Sequence, residues 1–203
     1  PHRSLARLTA ADSADLRALW PGLRRHLAGV QAELGPQLQA AFVDVAHACG
    51  LPVDANGPGS WDALALPALQ LPIWVARKLR REGHPIPQAA LDAAVGAAAT
   101  GYLCVRMHDD RLDEAKGDES IAHLLAAALL LQHERALARA AGRAYAGERS
   151  RVVGAWSRYG EAMLLEHHLD RSPGAWTPKA WRASQERYIS VTLPPAMLIA
   201  RAG

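Results

Sequence analysis

Residues 89–119 read AALDAAVGAAATGYLCVRMHDDRLDEAKGDE, and this stretch decides the fold. From Ala89 to Val105 it is almost purely small and apolar, the composition of a buried helix that its neighbours approach closely. Pro85 and Pro87 introduce the helix and Gly117 stops it, which predicts a span from about Gln88 to Ala115. Its last two turns then carry four carboxylates, on Asp109, Asp110, Asp113 and Glu114. Acids at the negative end of a helix dipole are disfavoured by roughly a few tenths of a kcal/mol each, a conflict that bound cations would remove.

Working outward, helical periodicity runs from about Ser13 to Cys49, with interruptions expected near Pro21 and at Gly35-Pro36. LPVDANGPGS, residues 51–60, stacks proline, asparagine and glycine as a loop does. A helix from about Trp61 to Arg81 should end at Gly83, with Pro85 behind it. Downstream, helices are expected over about Ile121–Ala141 and Glu148–Asp170, with a break at RSPG, residues 171–174. Thr177 then caps a shorter helix with Pro178 at its first position, and LPPAMLIARAG begins a further one. The expectation is one all-α domain over residues 1–203, a bundle of seven or eight helices.

Composition agrees. The 203 residues are 50% hydrophobic and 21% charged, with a single phenylalanine, so a sheet-based core is disfavoured. Six tryptophans are expected to supply aromatic bulk. The net charge of +3 comes from dispersed arginines, without the clustering or motif of a nucleic-acid footprint. Cys49 and Cys104 lie in apolar helical patterns without a partner at zinc-ligand spacing. No apolar run reaches the roughly 18 to 20 residues of a membrane span, and a signal-peptide core is missing at the N-terminus. A cytoplasmic protein without stable membrane insertion is expected.

Asp109, Asp110 and Asp113 form D-D-x-x-D. On a helix Asp109 and Asp113 share one face, a turn apart, and two carboxylates so placed can share Mg²⁺, which prefers oxygen ligands and keeps exchangeable waters. Tyr102 lies two turns below Asp109 on nearly the same face, flanked by Ala98 and Val105. These three are the candidate walls of a substrate pocket, with ordinary core packing the equal alternative for Tyr102. Arg106 is four residues before Asp110 and suits a helix ion pair.

An apolar small-residue helix ending in DDRLDE resembles the first metal motif of class I isoprenoid synthases, the polyprenyl diphosphate and terpene synthases. The wider pattern, YLCVRMHDDRLDE, a long Ala/Leu helix, GAWTPKAW and a proline-containing apolar helix, is similar to bacterial class I isoprenoid biosynthesis proteins. The resemblance implies an antiparallel α-bundle around an apolar cavity with two or three Mg²⁺ ions at its mouth. It implies a prenyl diphosphate substrate, ionised to an allylic cation that couples or cyclises, and a homodimer as a further expectation. Asp109 and Asp113 would bridge the metals, Asp110 would orient them, and Lys116 and Arg106 would meet the diphosphate.

The chain also departs from that pattern. Downstream of Glu119 no second aspartate-rich or Asn/Asp-Ser/Thr-Glu motif follows, and only Lys116-Gly117 stands where chain-elongating enzymes carry Arg-Arg-Gly. RYISVTLPP lacks the diphosphate-binding lysine. A bundle lacking its C-terminal helices is therefore expected, with weak Mg²⁺-diphosphate binding and poor turnover if these residues work alone. Glu166 and Asp170, four apart in EHHLD, are candidates for the opposing metal side, against the plainer alternative of a solvated helix end. The run Arg77, Lys78, Arg80, Arg81 suits either a diphosphate or, by dipole, an ordinary helix C-terminus. Two other functions stay open: a non-catalytic helical relative serving as an interaction module, and an HD-type phosphohydrolase built on His108-Asp109 with His84 and Asp170.

Overall fold

The computed structural model describes residues 10–48, 68–113, 119–172 and 176–202. Within them, side chains are described except at 10–13, 16, 47–48, 109–113, 119, 187–191 and 202. Eight α-helices cover the described residues: α1 (Ala10–Ala32), α2 (Pro36–Ala48), α3 (Gln70–Arg81), α4 (Gln88–Asp113), α5 (Glu119–Ala141), α6 (Tyr145–Asp170), α7 (Pro178–Ser184) and α8 (Glu186–Ala202). No strand occurs among them, so the all-α expectation is met. None of the described helices is long and apolar enough to cross a membrane.

α4 is the axis of the bundle. Ala94, Ala97, Ala99, Leu103 and Cys104 have no exposed surface, as the small-residue run predicts. α5 returns antiparallel along it: Cys104 Sγ lies 3.4 Å from the Ala126 carbonyl, and His133 Nδ1 donates to the Ala97 carbonyl at 2.7 Å. α6 then runs in the same direction as α4. Ala97 shares a cluster with Val152 of α6, and eight residues further on Val105 packs on Tyr159 and Met163. α8 lies antiparallel to α6, pairing Arg201 with Glu148 and bringing Glu186 within 3.8 Å of Arg158.

α1 also parallels α4 and approaches it where α4 has no side chain. A Cβ on Gly96 would stand 2.7 Å from the His26 ring, closer than packed carbons allow. Gly96→Ala should therefore force the half-buried His26 out of register and cost about 1–3 kcal/mol by overpacking. Urea unfolding measures it; an unchanged midpoint would show that the ring moves aside freely.

Several local signals are confirmed. Gly83, at φ 86°, ends α3 with His84 N donating to the Leu79 carbonyl and Gly83 N to that of Arg80, a Schellman closure. Thr177 caps α7, its hydroxyl accepting from Ala180 N at 3.1 Å ahead of Pro178.

Others are corrected. Pro21 does not interrupt α1. It sits on the exposed face, as does Arg17, whose carbonyl loses its helical donor there and can turn to water. Likewise α8 starts at Glu186 and runs through Pro194 and Pro195, both buried, instead of beginning at LPPAM. Packing of Ala196, Leu198 and Ile199 into the core offsets the two missing amide donors. Tryptophan is less of a core residue than expected: Trp156 is half-buried against the core, but Trp74, Trp176 and Trp181 are 42%, 40% and 57% exposed. Cys104 is buried, as read; Cys49 and residues 51–67, including the start of the expected Trp61 helix, lie outside the described residues.

Candidate functional site at the acidic end of the central helix

α4 carries its acidic motif within the helix, which is described through Asp113. The side chains of Asp109, Asp110 and Asp113, and all of Lys116, lie outside the described residues. Their positions on the helix nonetheless have a direction. Asp109 follows Val105 by one turn, and Val105 is the residue of α4 that packs on Tyr159 and Met163 of α6. The Val105–Asp109 line of α4 is therefore its α6-facing line.

α6 presents the matching line. Val152, Trp156, Tyr159, Met163, Glu166 and Asp170 follow each other at three- and four-residue steps on one face. By register, acidic positions follow apolar ones at the same end of both helices, which run in the same direction and meet through Val105, His108, Tyr159 and Met163. The level of the change can be compared through Tyr159, whose hydroxyl lies 3.3 Å from His108 Nδ1. At roughly 1.5 Å per residue, Asp113 stands about 8 Å beyond His108 and Glu166 about 10 Å beyond Tyr159. Glu166 comes level with Asp113, and Asp170 lies a turn further. Glu166 is half-buried, whereas Asp170 is exposed and accepts a 3.2 Å hydrogen bond from Trp176 Nε1. Of the two, Glu166 is the better placed. Among the described residues no three His, Cys, Asp or Glu side chains converge as a metal cage would require.

Directly below this end lies a half-open apolar pocket of about 270 Å³, lined by Met107, His108, Ala126, Tyr159 and Met163 and, at its exposed rim, His123 and Leu164. Its existence follows from spacing: the bulky Trp156, Tyr159 and Met163 hold α6 away from α4, and small residues of α5 line the gap. His108 and Tyr159 stack with ring centroids 5.9 Å apart, and Tyr159 meets Trp156 edge-on at 5.4 Å. Burial, and secondarily the neighbouring His123, lowers the His108 pKa, so its ring is neutral and suited to accept from the Tyr159 hydroxyl.

The pocket at this end is lined by residues other than the three expected for the wall. Ala98 is only 1% exposed and Tyr102 packs against the main core, so both belong to the bundle interior, while Val105 backs the cavity through Tyr159 and Met163. Arg106 is half-buried on α4. The residues not anticipated are Tyr159, Met163 and His123. For Tyr159 and Met163 the sequence signal was the α6 stripe, readable only once α6 is known to run parallel to α4; His123, on α5, had none.

Two alternatives separate in space. His84 lies in the turn before α4 and His108 near its end, about 30 Å apart along the helix at 1.5 Å per residue, so they cannot share the metal of an HD-type site. The basic run of α3 is also remote: Arg77 and Arg80 line a cleft that includes Gln88 and Asp92 in the first turns of α4.

Comparison of the chain with protein-family models, with curated proteins and with solved structures gives no match.

Proposed function

We propose that the chain is a Mg²⁺-dependent protein of the class I isoprenoid synthase type that acts on a prenyl diphosphate, ionising it for coupling or cyclisation. What supports this reading is that acidic positions follow apolar ones at the same end of two parallel helices, beside a half-open apolar pocket. The donor set fits the ion: Asp109, Asp113 and Glu166 offer only carboxylate oxygens, which suit Mg²⁺, and Asp110 would orient them. When bound, the metal would stabilise charge developing on the leaving diphosphate.

The remaining work belongs to the chain. Met107, Ala126 and Met163 receive the hydrocarbon on an apolar surface. The Tyr159 ring gives the allylic cation an aromatic neighbour, held in place by His108 and Trp156. A homodimer belongs to the same proposal: Leu124 and Leu131, each 60% exposed and two turns apart on α5, form an apolar line that a second copy would cover. So does a cytoplasmic setting. The interaction-module alternative shares the bundle but needs no metal. Diphosphate release from geranyl, farnesyl and geranylgeranyl diphosphates, with and without Mg²⁺, tests the proposal; release that ignores Mg²⁺ would overturn it.

A further inference from the structure

The opposite end of α4 borders a basic cleft. There α1, α3 and the first turns of α4 enclose a half-open cleft of about 370 Å³. Three guanidiniums line it, Arg25, Arg77 and Arg80, against two carboxylates, Asp15 and Asp92. Arg77 is committed, its Nε donating to Asp15 at 3.0 Å. Asp92 accepts from Gln88 at 2.8 Å and is wedged against Gly22, where a Cβ would lie 2.6 Å from its oxygen. Its ion pair with Arg25 is loose, at 3.8 Å, and Arg25 stays 73% exposed. Arg80 forms no ion pair among the described residues.

The cleft therefore holds an excess positive charge beside the positive end of a 26-residue helix whose first turn contains no acid. Arg80 also lies in the last turn of α3, whose carbonyl end favours a cation, while the amide end of α4 favours an anion between the two helices. Leu19, Ile73 and Leu91, all buried, give the cleft an apolar floor. We propose that it binds a phosphate monoester with a short apolar group, the phosphate between Arg25 and Arg80 and the alkyl chain on that floor. Planar guanidiniums match phosphate oxygens two at a time, which favours phosphate over a carboxylate monoanion. The site needs no divalent metal and is independent of the acidic end of α4, more than 20 Å away at about 1.5 Å per residue.

Isothermal titration of the 203-residue chain in EDTA at low ionic strength, with inorganic phosphate, butyl phosphate and acetate, tests this. Saturable one-site binding is expected for both phosphates, tighter for butyl phosphate and weakest for acetate. Arg80→Gln should weaken phosphate binding by about tenfold, and Arg80→Lys by less, because it keeps the charge and loses the fork. Both are surface changes whose melting temperatures confirm folding. Asp109→Ala with Asp113→Ala should leave phosphate binding intact, which separates this site from the metal proposal. Absence of saturable binding by either phosphate at millimolar concentration, acetate binding as tightly, or an unchanged affinity in Arg80→Gln would overturn the assignment.

Discussion

Lowering the pH from 6.5 towards 4 should strip this protein of several kcal/mol of stability through two histidines. His26 and His133 are both held at a pKa of about 4, against an ordinary 6.5. Burial is the main cause for each, reinforced at His26 by the Arg139 guanidinium. His133 has no exposed surface; its Nδ1–H serves the Ala97 carbonyl, its ring meets Trp156 edge-on, and its buried Nε2 has no partner among the described residues. The sign follows from linkage. Both groups bind protons more weakly when folded, so their stabilisation is complete above pH 6.5 and lost as pH falls to about 4. A tenfold loss of proton affinity on folding is worth about 1.4 kcal/mol, so each histidine contributes at most about 3 kcal/mol. Urea unfolding across this pH range measures the slope. His133→Leu should roughly halve it; a slope the variant leaves unchanged would place the acid sensitivity elsewhere.

The second large effect concerns the acidic end of α4. Asp109→Ala with Asp113→Ala should abolish Mg²⁺-dependent diphosphate release, a loss of at least about a hundredfold in rate, because the departing diphosphate would lose its cations. Stability should not fall with it. Removing two acids from the negative end of a helix relieves the dipole by a few tenths of a kcal/mol each, so the melting temperature without metal should hold or rise. That pairing of outcomes distinguishes a metal site from a structural role. Full Mg²⁺-dependent release in the double variant would refute the assignment of Asp109 and Asp113, and a lowered metal-free melting temperature would mark them as structural.

What could be read along the chain and what could not divides by the range of the interactions. The start of α4, the Schellman closure at Gly83 and the Thr177-Pro178 start of α7 depend on neighbouring residues, and each is visible in a few letters of sequence. Pro21, Pro194 and Pro195 look like breaks because local chemistry disfavours them; exposure at α1 and burial at α8 decide otherwise. The site divides the same way. D-D-x-x-D and its common face on α4 are local facts. The value of Glu166 depends on α6 running parallel to α4 with Tyr159 level with His108, which no spacing within EHHLD conveys. Tyr102 shows the other side: it shares a register line with Asp109, yet the half-buried ring packs against the main core, a contact that sequence spacing alone does not convey.

The central claim is that α4 and α6 hold one metal-diphosphate site between them, and a double-mutant cycle tests it most directly. Titration calorimetry would give the affinity for diphosphate in saturating Mg²⁺ for the unmodified chain, Asp113→Asn, Glu166→Gln and the double variant. Ligands of one metal cluster are coupled, so each single change should remove most of the binding and the second should add little, a coupling of at least about 1 kcal/mol. Effects that simply add, or an affinity unmoved by Glu166→Gln, would contradict the shared site.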